Sequence, residues 1–143
     1  TLDGLAYNAQ TAPGLVCPIL NARRGEVYGA IYQAKEGKLV RETNYLAIKP
    51  ENLIELLLEY NREVLLLGDG VEEYSDFFSE RLEKLLTIMN PANRLPRASQ
   101  IAYLGQHKLI KNENHNLFHL APLYIRPSEA EIKLRERMKE HRV

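Results

Sequence analysis

Apolar residues at Leu2, Leu5, Ala6 and Ala9 fall on one helical face, which predicts a helix over residues 2–12. Pro13-Gly14 should stop it, because proline cannot continue a helix and glycine readily turns the chain. Residues 15–20 form a short apolar run holding Pro18, which places that run at a sheet edge or near a strand end. The polar stretch 21–25 reads as a turn. Residues 26–34 alternate cleanly, with Val27, Gly29, Ile31 and Gln33 on one face and Tyr28, Ala30, Tyr32 and Ala34 on the other. Residues 35–38 make a hairpin turn, and 39–48 return as a further strand. Pro50 opens a helix where its missing N–H costs least. Leu53, Ile54, Leu56, Leu57 and Leu58 nearly encircle that helix, so it should be largely buried, and Asn61 ends it. Residues 63–67 are a continuous apolar run, the pattern of a central strand covered on both faces. Gly68-Asp69-Gly70 turns the chain into an amphipathic helix over 72–89, with Phe77, Phe78, Leu82, Leu85, Leu86 and Met89 inward. A loop over 90–96 leads to a last helix over 98–109.

A helix, a three-strand antiparallel meander, then alternating helices and a strand imply an α/β fold with a mixed sheet. The end of the chain changes character. Ser128 with Glu131 fits a capping box, and Glu129–Lys133 and Glu131–Arg135 are favourable pairs worth about 0.3 kcal/mol each. Ala130, Leu134 and Met138 make one thin apolar line, so the tail reads as a marginal helix that needs something to pack on.

Composition bounds the function. Leu, Ile, Val and Phe supply 41 of the 143 residues, enough for a core without staples. The single cysteine, Cys17, excludes an internal disulfide framework and a cysteine-based zinc site, and suits a reducing cytoplasm. No run approaches the roughly 18 apolar residues of a spanning helix, so no membrane partner is expected. No signal peptide is visible, and the start lacks methionine, so a processed chain or a fragment is expected. Nineteen basic against nineteen acidic residues disfavour a strongly basic nucleic-acid binder.

The candidate chemistry is sparse. Gly68-Asp69-Gly70 follows a strand and precedes a helix, so its N–H groups would face an anion, yet there is no Walker lysine and a plain strand–helix turn explains it. His115 and His119 have ligand spacing, but the asparagines around them and Pro122 argue against a helix, and no metal site is expected. Cys17 reads as an inert buried thiol. No serine lies in a nucleophile elbow, and a triad drawn with His107 and Asp69 has nothing to single it out. Residues 21–28, Asn-Ala-Arg-Arg-Gly-Glu-Val-Tyr, are the most informative. Arg23 and Arg24 at a turn, followed by Glu26, serve either as an ion pair fixing the turn or as a docking surface.

This stretch resembles the TsaB (YeaZ) family of bacterial tRNA threonylcarbamoyladenosine synthesis, whose pattern reads aspartate, Ala, Arg, Arg, then a Glu-Val-Tyr strand. Three further segments are similar in order along the chain. These are Leu65-Leu66-Leu67-Gly68-Asp69-Gly70, then Leu95-Pro96-Arg97-Ala98, and the closing Pro122-Leu123-Tyr124-Ile125-Arg126-Pro127-Ser128-Glu129-Ala130-Glu131. Asn21 departs from the pattern, standing where aspartate is usual. The family's N-terminal half, with its Asp-Thr-Ser strand start, has no counterpart here.

The resemblance implies an actin-like (ribonuclease H-like) half-domain over residues 1–127, the C-terminal part of a two-domain protein, with a charged tail over 128–143. It implies a non-catalytic scaffold subunit that pairs with the catalytic paralogue TsaD and the ATPase TsaE, meeting tRNA through that complex. A homodimer is also compatible with it. ATP and metal are expected on TsaD, with no cofactor in this chain. Partner contacts are expected at Arg23, Arg24, Glu26, Tyr28, Arg126 and Glu129, and a turn or anion contact at Gly68, Asp69 and Gly70. The name glycoprotease, once given to the family, finds no zincin helix or nucleophile elbow here. Half of an actin-like ATP-dependent phosphotransferase is the alternative.

Overall fold

In the computed structural model, residues 1–111, 121–126 and 137–138 are described. The chain opens with α1 (Leu2–Ala6), continued by a 3-10 turn over Tyr7–Ala9, so the helix is shorter than its periodicity predicts. The Asn8 side-chain amide donates across the fold to the carbonyls of Asn93 (3.0 Å) and Leu95 (2.8 Å).

The next strand, β1 (Leu15–Arg23), lies at the centre of the sheet. On one side it meets β2 (Glu26–Gly29) and β3 (Tyr32–Lys35), both antiparallel and in a single register: Ile19 faces Gly29 and Val16 faces Tyr32. These two are one expected strand interrupted at Ala30–Ile31. The third strand is likewise split, into β4 (Lys38–Arg41) and β5 (Leu46–Ile48). Residues 42–45 bulge out between them. The Ile31 carbonyl accepts from the Glu42 N–H (2.8 Å), and the Ile31 N–H donates to the Thr43 hydroxyl (3.1 Å), so the interruption leaves that residue satisfied.

Four expectations need correction. Pro18 is buried in the central strand, not at an edge. It is tolerated because it faces the interruption at Ala30 and is the last position paired with β6 (Val64–Leu67), opposite Leu67. The polar turn at 21–25 tightens to Arg24-Gly25, both with positive φ, while the strand runs on to Arg23 through an irregularity beside Asn21. The helix α2 (Pro50–Tyr60) buries one face, Leu53, Ile54 and Leu57, and leaves Leu58 exposed. Its left-handed Asn61 cap matches the expected stop. Finally, α3 (Gly70–Leu82) ends where Glu83 takes positive φ, and Leu86–Ile88 is a strand, β7, parallel to β6. The open edge of β6 supplies hydrogen-bond partners from more than twenty residues away, which a helical period cannot register.

The alternation in the strands divides the core in two. Leu15, Cys17, Ile19, Val27, Ile31 and Leu66 point to the side covered by α2 and α3, packed with Phe78 and Leu82. Val16, Ala30, Tyr32 and Leu67 point to the opposite side, against Leu2, Leu5 and Ala6 of α1. The last helix, α4 (Ala98–Ile110), lies beside α1.

Candidate functional site

The strands β1 and β6 run parallel, and their carboxyl ends lie together. In open α/β sheets that end is where binding sites form. Most of the residues singled out from the sequence collect here.

The turn Gly68-Asp69-Gly70 is held against β1. Gly68 has φ +108°, and a Cβ there would overlap the Ile19 carbonyl. Gly70 is less confined: its Cβ would lie 3.2 Å from both the Ile19 carbonyl oxygen and Cγ1. Asp69 occupies the N-cap position of α3 but does not cap it. Its Oδ1 accepts from the Asn21 backbone N–H at 3.0 Å.

Asn21 links three segments. Its side-chain amide donates to Glu73 on the first turns of α3, and its Oδ1 accepts from the Arg23 backbone N–H at 2.7 Å. The departure from the family's aspartate therefore has a physical counterpart. An aspartate at this position would have no N–H to offer Glu73 and would set a second carboxylate against it.

Arg23, the last residue of β1, and Arg24, the first of the turn into β2, are both exposed with φ 59°. Glu26, at the start of β2, accepts from Arg126 Nη1 at 2.6 Å. Both side chains are about three-quarters shielded from water. This bond fixes the segment 121–126 against the hairpin, with Leu123 and Tyr124 turned to solvent. Tyr28 lies further along β2, half-buried, facing Leu20 on β1 and Ala47 on β5. Glu129, the capping box at Ser128, the pair of histidines at 115 and 119, and the rest of the charged tail except Arg137 and Met138 lie outside the described residues.

Sequence reading missed a second polar cluster, on the α1 side. The two oxygens of Asp3 accept from the hydroxyls of Tyr32 and Tyr45, each at 2.6 Å. Arg41 Nη1 stands 3.5 Å from the same carboxylate, and its guanidinium lies over the Tyr45 ring at 3.9 Å. Burial pushes Asp3 up, but the two hydroxyls and Arg41 outweigh it and hold the carboxyl below its ordinary value. Burial and the Asp3 carboxylate together push the Tyr32 phenol up. No periodicity marks these residues; only folding joins α1 to the meander.

Cys17 is fully buried, and burial alone pushes its thiol up to about 12, as an inert thiol requires. Among the described residues, no three His, Cys, Asp or Glu side chains gather in a metal-binding arrangement, and no helix is long and apolar enough to cross a membrane. His107 lies on α4 with its ring 4.4 Å from that of Tyr103, and Asp69 is engaged with Asn21.

Comparison with known proteins agrees with the motif resemblance. A family model described as TsaD, tRNA N6-adenosine threonylcarbamoyltransferase, matches residues 1–134. The tRNA threonylcarbamoyladenosine biosynthesis protein TsaB of Bacillus subtilis (strain 168) is 34% identical over 139 residues, covering 97% of this chain and 59% of that protein. Two solved structures from Pseudomonas aeruginosa are similar in fold. One, described by its similarity to peptidase YeaZ, is 21% identical with a TM-score of 0.67 over 87% of this chain and 56% of its own. The other, YeaZ, is 20% identical with a TM-score of 0.63 over 86% and 56%. The mixed sheet is the actin-like (ribonuclease H-like) fold of these neighbours. The chain spans a little under three-fifths of the length of the relatives it matches.

Proposed function

This chain belongs to the TsaB (YeaZ) family, and from that premise we propose that it is the C-terminal half of a non-catalytic scaffold subunit in tRNA threonylcarbamoyladenosine synthesis. Residues 1–127 are the half-domain and 128–143 its tail. The whole subunit pairs with the TsaD paralogue, which carries ATP and metal, and works with the ATPase TsaE in the cytoplasm. The arginine hairpin contributes to docking through Arg23, Arg24, Glu26 and Tyr28, together with Arg126 and Glu129.

One observation carries this reading over a phosphotransferase. At the carboxyl ends of β1 and β6, the carboxylates are committed to the chain itself: Asp69 and Glu73 accept from Asn21, and Glu26 accepts from Arg126. Gly68 and Gly70 follow close packing on Ile19. A nucleotide phosphate placed at this turn would meet Asp69, Glu72 and Glu73. Such a turn braces a surface; it does not invite an anion.

The test is co-elution of the full-length protein with its TsaD paralogue on size-exclusion chromatography, alongside calorimetry with ATP and magnesium. Complex formation, with no heat from nucleotide on the isolated subunit, is the expected result. Stoichiometric nucleotide binding and turnover by the isolated subunit would overturn the scaffold reading in favour of the phosphotransferase.

A further inference from the structure

The segment 121–126 is held by its inner side and turns its outer side to water. Ile125 and Arg126 are half-buried, and Arg126 donates to Glu26 at 2.6 Å. Leu123 and Tyr124, just ahead of them, are 71% and 80% exposed. Bare apolar side chains on a fastened backbone differ from those on a loose tail, because little ordering remains to be lost when a partner covers them.

At the other end of the Glu26–Arg126 bond stands the hairpin. Arg23 and Arg24 are exposed with φ 59°, a left-handed conformation that non-glycine residues seldom adopt. Asn21 supports it by accepting from the Arg23 backbone N–H. A Cβ built on Gly25 would meet nothing within 4 Å among the described residues, so the tip stands clear. Arg24 lies two residues before Glu26, and Tyr124 two before Arg126. One ion pair therefore brings the arginine hairpin and an exposed aromatic side chain to the same edge of the fold.

Tyrosine and arginine are the side chains that interface hot spots favour. We propose that Leu123 and Tyr124 are the apolar anchors, and Arg23 and Arg24 the charged rim, of a docking surface for a protein partner with an apolar pocket bordered by carboxylates. Glu26 and Arg126 brace this surface. Guanidinium groups select carboxylates through paired hydrogen bonds. RNA phosphates attract them too, but Glu26 and the Asn21-bonded Asp69 and Glu73 lie alongside, and a phosphate backbone there would meet their charge. This rests on the reading above, under which the partner is the TsaD paralogue, and extends it to two anchors on the closing segment.

Titration calorimetry of the full-length protein with TsaD tests this. Tyr124→Ala and Leu123→Ser should each weaken binding about tenfold or more, and Tyr124→Phe by less than about threefold. Arg23→Glu combined with Arg24→Glu should also weaken it, with a smaller loss at high salt. Both anchors are exposed, so the melting temperatures should not move. Unchanged affinity in both anchor variants, with wild-type binding intact, would overturn the proposal alone. So would losses confined to binding of a tRNA transcript, which would assign the surface to RNA. As a second measurement, Tyr124→Cys should react readily with a maleimide in the free subunit and slowly in the complex, read at that position by mass spectrometry. Slow reaction in the free subunit would place the side chain under the subunit's own remaining chain and overturn the proposal. Absence of TsaD binding by the wild-type protein would overturn the functional reading and this docking surface together.

Discussion

Glu26 and Arg126, one hundred residues apart in sequence, meet in a 2.6 Å ion pair that fastens the closing segment to the β1–β2 hairpin. The pair is shielded enough for its geometry to persist, yet near enough to water for salt to weaken it.

A double-mutant cycle with Glu26→Gln and Arg126→Gln should therefore give a coupling of about 1 kcal/mol in urea unfolding at low salt, falling toward half at 1 M salt. A coupling indistinguishable from zero would mean that the segment 121–126 is held by something else.

Asn21→Asp restores the residue usual in the family and should destabilise this chain by about 1 kcal/mol at neutral pH, because it removes the donor to Glu73 and opposes two carboxylates. The new pair holds its last proton more tightly in the folded state, so the penalty exists only while both groups are ionised. Acidification should shrink the difference from wild type. A pH-independent difference would place the cause in packing instead.

Asp3 carries a testable pH dependence. Its folded-state value is depressed, so its contribution is present above the ordinary carboxylate range, about pH 4, and is lost as pH falls through the lower folded value. Asp3→Asn should cost about 1 kcal/mol at pH 7, since a carboxamide has one acceptor for two phenols. The gap from wild type should narrow below pH 4 in denaturant midpoints. Should the gap persist unchanged at pH 3, the two phenols are not what sets the carboxylate's value.

Gly68→Ala should be far more damaging than Gly70→Ala. The first adds a methyl into the Ile19 carbonyl at a positive φ, at a cost of about 3 kcal/mol or more. The second meets neighbours at 3.2 Å, which give way by a few tenths of an ångström, so about 1 kcal/mol is expected. Thermal melts of the two variants decide it; similar melting temperatures would show that the turn relaxes away from β1.

Sequence alone determined the local features. The alternation of Val27 and Ile31 against Ala30 and Tyr32 assigned each to the correct side of the sheet, because period two is a backbone property. Pro50 and Asn61 bounded α2 by their own dihedral preferences. The spaced motifs led to the family and so to the fold, including the hairpin arginines and the glycine turn. Tertiary structure decided whatever depended on a distant partner. Pro18 is central because the neighbouring strand breaks at Ala30. Leu86–Ile88 became a strand because β6 offered an open edge. Asn21 found Asp69 and Glu73, Glu26 found Arg126, and Asp3 found two tyrosines, all across separations with no period to announce them. Polar side chains take their partners from whichever segments the core brings alongside, and hydrophobic patterning fixes which face is buried before it fixes which neighbours arrive there.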